Sequence, residues 1–262
     1  MTRHIVDELI EERAPRLAGS ALWPLARPVL HSLLGYDKAR AMTDTAAPMS
    51  GRDALTYVHR LLDLRVDVSG AHNLPKSGAV VLVANHPTGI ADGFALYDAV
   101  APVRPDLILY ANADACRVVP RIGEAIIPVE WIEAKRTREK TRIVLARTHA
   151  VLEAGAPLVI FPAGRISRWQ GGRLTDPPWN TTALSLARKH RAPLVPVHIA
   201  GPASVWFRVL DKVSSELRDI TLFHEMLNKS GKRFTVNFGP AIAPDALPEL
   251  ADLKARVEAG RW

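Results

Sequence analysis

Through residues 1–70 the apolar positions recur at helical spacing. Leu22, Leu25, Val29, Leu30, Leu33 and Leu34 predict one helix, with Arg27 and His31 interrupting its apolar run. Leu55, Val58, Leu61 and Leu62 share a face of a second predicted helix over Ala54–Leu64. Between them Asp44–Gly51 is polar, contains Pro48, and reads as a loop. After Asn73-Leu74-Pro75-Lys76-Ser77-Gly78 the pattern changes. Short apolar runs now occupy Ala79–Ala84, Leu107–Ala111, Ala125–Val129, Leu158–Phe161, Leu194–Ile199 and Phe234–Phe238. Helical patterns over Asp92–Val100, Glu139–Ala154 and Thr181–His190 alternate with them. Strands that are apolar nearly throughout are buried on both faces, and their alternation with helices predicts a mostly parallel sheet. The expectation is an α/β fold: a mostly parallel central sheet flanked by helices, over residues 71–262, with an N-terminal helical region over 1–70 packed on that core. Ligands of such sheets gather at the carboxyl ends of the strands, so the residues just after each apolar run come first as candidates.

Composition narrows the picture only a little. Of 262 residues, 48% are hydrophobic and 23% charged, which is ordinary for a globular chain. Uninterrupted apolar runs such as Gly78–Ala84 fall far short of the ~20 residues that span hydrocarbon. Asp7, Glu8, Glu11 and Glu12 stand where a secretory signal would be apolar, and Cys116, the one cysteine, excludes an internal disulfide and points to a reducing compartment. A cytoplasmic protein is expected. The net charge of +7 suits polyanions, whether nucleic acid, anionic lipid headgroups or a phosphorylated cofactor, and is also compatible with no partner at all. The basic residues are dispersed without aromatic interleaving, so nucleic acid is not the expected partner. G-x-G-x-x-G, a P-loop and the hydrolase pattern G-x-S-x-G are all absent.

Directly after Val80-Val81-Leu82-Val83-Ala84 comes Asn85-His86-Pro87-Thr88-Gly89-Ile90-Ala91-Asp92-Gly93. A histidine thus stands at a strand's carboxyl end, and a Pro/Gly turn leads to an aspartate in the first turn of the next helix. Folded back, the carboxylate would fix the imidazole tautomer and stabilise the imidazolium formed on proton transfer. The same residues also read as a helix-start aspartate favoured by the dipole and a turn histidine, and spacing alone leaves both open. A second block, Phe161-Pro162-Ala163-Gly164-Arg165-Ile166-Ser167-Arg168, puts a tight turn and two guanidinium groups at another strand end, where they would grip a phosphate or carboxylate or simply be solvated. Val195-Pro196-Val197-His198-Ile199-Ala200-Gly201 is a strand whose His198 is a core or site-wall residue, and Ile122-Gly123-Glu124-Ala125-Ile126-Ile127-Pro128-Val129 is a further strand with a glycine ahead of it.

Together, in this order, the four blocks resemble the glycerolipid acyltransferase family, which includes lysophosphatidic acid acyltransferase, over about residues 65–240. His86-Pro87-x-Gly89, the Phe161–Gly164 turn, Leu217-Arg218 and Glu225–Lys232 bring the chain nearest to the hemolysin-like branch with its lyso-ornithine lipid acyltransferases. The sequence departs from the family pattern at two places. Five residues rather than four separate His86 from Asp92, and Ala163 and Ile166 stand where the family has a glutamate and an arginine, with Arg165 one position earlier. The resemblance implies transfer of an acyl group from acyl-CoA or acyl-carrier protein to a lysolipid hydroxyl, with His86 and Asp92 catalytic and with Asn85, Thr88, Gly89, Gly164, Arg165, Ser167 and Arg168 binding substrate. It implies no bound cofactor and no metal, and a peripheral position on the inner face of the membrane, favoured by anionic lipid. Leu22–Leu34 with Trp23, and Val205–Leu210, are the candidate interfacial stripes, both of which also read as core. A hydrolase, or a silent membrane-surface protein of the same fold, is the competing expectation.

Overall fold

The computed structural model describes residues 3–130, 132, 135–204, 207, 209–210 and 213–262. Strands β1 (Arg65–Ser69), β2 (Val80–Ala84), β3 (Ile108–Asn112), β4 (Ile126–Val129) and β5 (Pro157–Ile160) are followed by β6 (Arg168–Gln170), β7 (Arg173–Thr175), β8 (Leu194–Ala200) and β9 (Arg233–Phe238). Seven of them form one sheet in the order β1-β9-β8-β2-β5-β3-β4, and β6 and β7 form a separate hairpin. Within the seven-stranded sheet the neighbours are parallel except for β8 and β9. The α/β expectation holds.

Helices α1 (Ile5–Arg13), α2 (Pro15–Ala18), α3 (Trp23–Leu33), α4 (Tyr36–Ala46) and α5 (Gly51–Leu62) precede the sheet. Between and after the strands come α6 (Ile90–Val100), α7 (Ala115–Val118), α8 (Arg138–Glu153), α9 (Thr182–Lys189), α10 (Ser215–Asp219), α11 (Leu222–Leu227) and α12 (Leu250–Ala259). The five residues of β2 are fully buried, and alternation sends them to two cores. Val80, Leu82 and Ala84 pack with Ala91, Ala95 and Leu96 of α6, while Val81 and Val83 pack with Leu184 of α9 and Leu253 of α12. Burying one such side chain contributes roughly 1.5–3 kcal/mol, so the strand that carries the candidate histidine is anchored from both sides.

Three sequence expectations need correction. Arg65–Ser69, in the stretch read as helical, is the edge strand β1, paired in parallel with β9. Its outer side is solvated, so its short alternation of charged and apolar residues left only a weak strand signal. The predicted loop Asp44–Gly51 is shorter, because α4 continues through Ala46 with Asp44 and Thr45 on its solvent side and α5 begins at Gly51. The third concerns α3, whose apolar residues divide between two faces. Trp23, Leu30 and Leu34 pack inward with Val6 and Ile10, whereas Leu22, Leu25, Val29 and Leu33 are 60–75% exposed. The polar residues point in instead: Arg27 donates to Asp7 Oδ1 at 3.0 Å, His31 Nε2 lies 3.9 Å from the same atom, and the Tyr36 hydroxyl donates to Oδ2 at 2.8 Å. In the second candidate stripe Val205, Trp206 and Arg208 lie outside the described residues. Among the described residues no helix is long and apolar enough to cross a membrane.

Candidate active site

At the carboxyl end of β2 the chain leaves the sheet through Asn85, whose side-chain amide donates to the Ile199 carbonyl (2.9 Å) and accepts from the Ile199 N–H (2.7 Å). This pair ties the loop to β8, so the contribution of Asn85 here is the loop's position. The turn Pro87-Thr88-Gly89 then reverses the chain into α6. Gly89 has φ +94°, and a β-carbon there would also meet the Ile166 Cδ1 atom at 3.0 Å. With five residues between them, His86 and Asp92 still meet, Nδ1 and Oδ2 lying 2.9 Å apart.

Asp92 is 0% exposed. Its Oδ2 accepts the Thr88 N–H (2.8 Å) and the Gly89 N–H (3.0 Å) and lies 2.9 Å from His86 Nδ1; its Oδ1 accepts the Thr88 hydroxyl. The carboxylate also sits in the first turn of α6, where the helix dipole favours negative charge. Thr88, a predicted substrate contact, directs both its amide and its hydroxyl to Asp92.

The His86 ring stacks on Phe161, with centroids 4.3 Å apart and planes inclined by 27°. Its side chain is 18% exposed, and among the described residues its Nε2 has no hydrogen-bond partner. The histidine main chain is held separately. Its N–H donates to Asp176 Oδ1 at 3.2 Å, and its carbonyl accepts the Ser167 N–H at 2.8 Å. Asp176, 3% exposed, also accepts the Ser167 hydroxyl and the Trp179 indole N–H (2.9 Å). Burial pushes the Asp176 carboxyl up from the usual carboxylate range, opposed by the hydrogen bonds from Ser167, Trp179 and the His86 N–H and then by the charge of His86. Neither Phe161 as a stacking partner nor Asp176 was singled out from the sequence. In the sequence Phe161 reads only as a strand end, and nothing in Thr175-Asp176-Pro177-Pro178 marks a site.

The second predicted block does reach this place. Ser167 is buried against His86, while Arg165 and Arg168 are exposed and without an ion-pair partner among the described residues. Gly164 takes φ +61° and donates its N–H to the Phe161 carbonyl at 2.9 Å, closing the turn and removing that amide as a donor to a ligand. His198 is half-buried against α12, its Nδ1 2.7 Å from the Val257 carbonyl. Among the described residues no three His, Cys, Asp or Glu side chains gather as a metal site would require.

Residues 65–200, just over half of the chain, match the acyltransferase family. The chain belongs to that family, and the histidine–aspartate pair at the end of β2 lies within the matched span. It is similar to a lyso-glycine lipid O-acyltransferase of Bacteroides thetaiotaomicron, 26% identical over 90% of this chain and 87% of the relative. A second lyso-glycine lipid O-acyltransferase, from Phocaeicola vulgatus, is 28% identical over 81% of this chain and 77% of its own. The human 1-acyl-sn-glycerol-3-phosphate acyltransferase alpha is 24% identical, covering 76% and 64%. Among solved structures, the 1-acyl-sn-glycerophosphate acyltransferase of Thermotoga maritima aligns over 99% of this chain and 95% of its own, at 18% identity and a TM-score of 0.48.

Proposed function

We propose that this acyltransferase moves a fatty acyl group from an acyl thioester, acyl-CoA or acyl-carrier protein, to the hydroxyl of a lysolipid at a membrane surface, with His86 as general base. One observation carries the reading: Nδ1 of His86 is held 2.9 Å from a fully buried carboxylate while Nε2 stays open. With Nδ1–H donated to Asp92, the lone pair sits on Nε2. The acceptor oxygen attacks the thioester carbonyl as its proton passes to Nε2, the tetrahedral oxyanion collapses with cleavage of the C–S bond, and the leaving thiolate takes the proton back from the imidazolium. Asp92 keeps its charge throughout and stabilises the imidazolium. The amides of His86, Thr88, Gly89, Gly164 and Ser167 are already engaged, whereas those of Arg165 and Ile166 donate to nothing among the described residues and remain for the oxyanion. Arg165 and Arg168 supply positive charge for a phosphate or carboxylate of donor or acceptor. The reaction needs no metal or bound cofactor.

The lysolipid acceptor follows from the relatives, whose names specify lyso-glycine lipid and 1-acylglycerol phosphate acceptors. Membrane contact is supported by α3 and the residue before it, where Leu22, Leu25, Val29 and Leu33 are exposed together while Arg27 pairs with Asp7. That face suits the boundary between headgroups and acyl chains on the inner side of the membrane, with anionic lipid attracting the net charge of +7. The test offers purified protein each donor against lysophosphatidic acid, lyso-glycine lipid and lyso-ornithine lipid. An ester product is expected, with His86→Ala lowering its rate by about 10²–10⁴. A variant as fast as the parent overturns the base, and acyl release to water at the same rate with or without lysolipid favours a hydrolase instead. No transfer and no release from either donor leaves the silent protein.

A further inference from the structure

The candidate base is held by two carboxylates, and the proposed proton transfer employs only Asp92. Asp92 takes the imidazole; Asp176 takes the main chain of the same residue from a different part of the fold. We propose that Asp176 is a positioning residue for the transfer: from its buried seat beyond β7 it clamps the His86 backbone, and with it the direction in which Nε2 faces the incoming hydroxyl. The inference rests on the reading of His86 given above.

The geometry is specific. Both main-chain polar groups of His86 are taken by one short segment, the N–H by Asp176 at 3.2 Å and the carbonyl by the Ser167 N–H at 2.8 Å. These two residues flank the β6–β7 hairpin and are joined by the Ser167 hydroxyl, which donates to the same carboxylate oxygen. Asp176 is itself fixed at both ends. The Trp179 indole donates to its other oxygen at 2.9 Å, and its own N–H donates to Glu258 Oε1 at 2.7 Å on α12, where Lys254 lies 3.1 Å from Glu258. A ring held only at Nδ1 can still pivot with its backbone. With the backbone pinned as well, the position of Nε2 is determined, and small displacements of a catalytic group are costly in rate. The three donors aimed at Asp176 make an acceptor-only side chain the right occupant. An amide there must turn its NH₂ either toward Trp179 or toward the His86 N–H, and neither donor can reverse its role.

Asp176→Asn is the test, with initial rates and with hydrogen exchange of the His86 amide in ¹⁵N-labelled protein. Losing a buried hydrogen bond to a charged acceptor corresponds to about 10–100-fold. The expectation is a kcat lower by that factor, KM for both substrates within about threefold, and His86 amide exchange faster by a similar factor while the amides of Val81 and Leu82 stay protected. A folded Asp176→Asn with parental kcat and parental His86 exchange overturns the proposal, and so does a lowered melting temperature without either change. Should that variant not fold, Ser167→Ala and Trp179→Phe each remove one donor and keep the carboxylate. Each is expected to lower kcat about 3–10-fold and to speed His86 exchange, and parental values in both overturn the idea. If the parent protein transfers no acyl group at all, the reading of the reaction fails, yet the exchange measurement still decides whether Asp176 holds His86.

Discussion

At Asp92 a single carboxylate satisfies the imidazole, two backbone amides and a hydroxyl, so the geometry of the base and the conformation of the turn are one property. Gly89 is where that property is most exposed to mutation. Its φ of +94° is strained for any L side chain, at about 1–3 kcal/mol, and Ile166 stands against the missing β-carbon. Gly89→Ala is therefore expected to lower the melting temperature by about 2–4 °C for each kcal/mol and to cut the transfer rate at least tenfold, since three of the four donors to Asp92 come from this turn. Gly164→Ala serves as the comparison: φ is +61° but the space is open, so it should destabilise by no more than about 1–2 kcal/mol and leave the rate near that of the parent. Calorimetry and initial rates on both proteins check this. A buried strand and a helix start bracket His86 and Asp92, which marked them as candidates, but spacing alone left a turn histidine and a helix-start aspartate open as well, and it was the family resemblance that paired them. The roles of Phe161 and Asp176 were not legible, because they depend on β5 lying beside β2 and on the hairpin folding back over His86, which residue order does not contain.

Helix α3 shows the limit of periodicity at the scale of an element. A run of leucines at helical spacing says that a helix has an apolar face and not which way it turns, and here a buried acid decides. Asp7 recruits Arg27, His31 and Tyr36 from one side, so Leu22, Leu25, Val29 and Leu33 are left outside. Burial, and then the hydrogen bond to the same Asp7, pushes the Tyr36 hydroxyl up to about 12. Leu25→Glu with Val29→Glu is expected to reduce sedimentation with anionic vesicles at least tenfold, each lost apolar contact being worth about 1.5–3 kcal/mol when fully buried in lipid. The melting temperature in buffer should move by no more than about 2 °C, since both side chains are already in solvent. Unchanged vesicle binding would count against α3 as the contact. β1 escaped the sequence pattern for another reason: its partner β9 is encoded more than 160 residues later, and its exposed outer edge favours polar residues.

Across the whole molecule, titration acts with opposite signs. Burial lowers the proton affinity of His31 and of His190, the latter also through His149, whose Nδ1 lies 2.6 Å from His190 Nε2. The unfolded chain therefore binds these protons first, and the stability present above about pH 6.5 is lost as the pH falls below it. Asp176 works the other way. Its raised proton affinity favours the folded state at low pH, a contribution that disappears as the pH rises through its folded value. Near neutrality the histidines are the groups in range, so the melting temperature should decline between pH 7 and 5.5, and His190→Asn should make that slope shallower in melts run across the same window. The order of the strands has a different consequence, for synthesis. β2 is made about a hundred residues before β8 and well before β5, its two neighbours in the sheet. At roughly 5–20 residues per second the ribosome leaves this wholly apolar strand without a partner for on the order of ten seconds. A strand that is fully buried in the finished protein is thus unpaired in the nascent one, and co-expressing a chaperone is expected to raise the soluble yield without moving the melting temperature, which comparison of soluble fractions and melts checks.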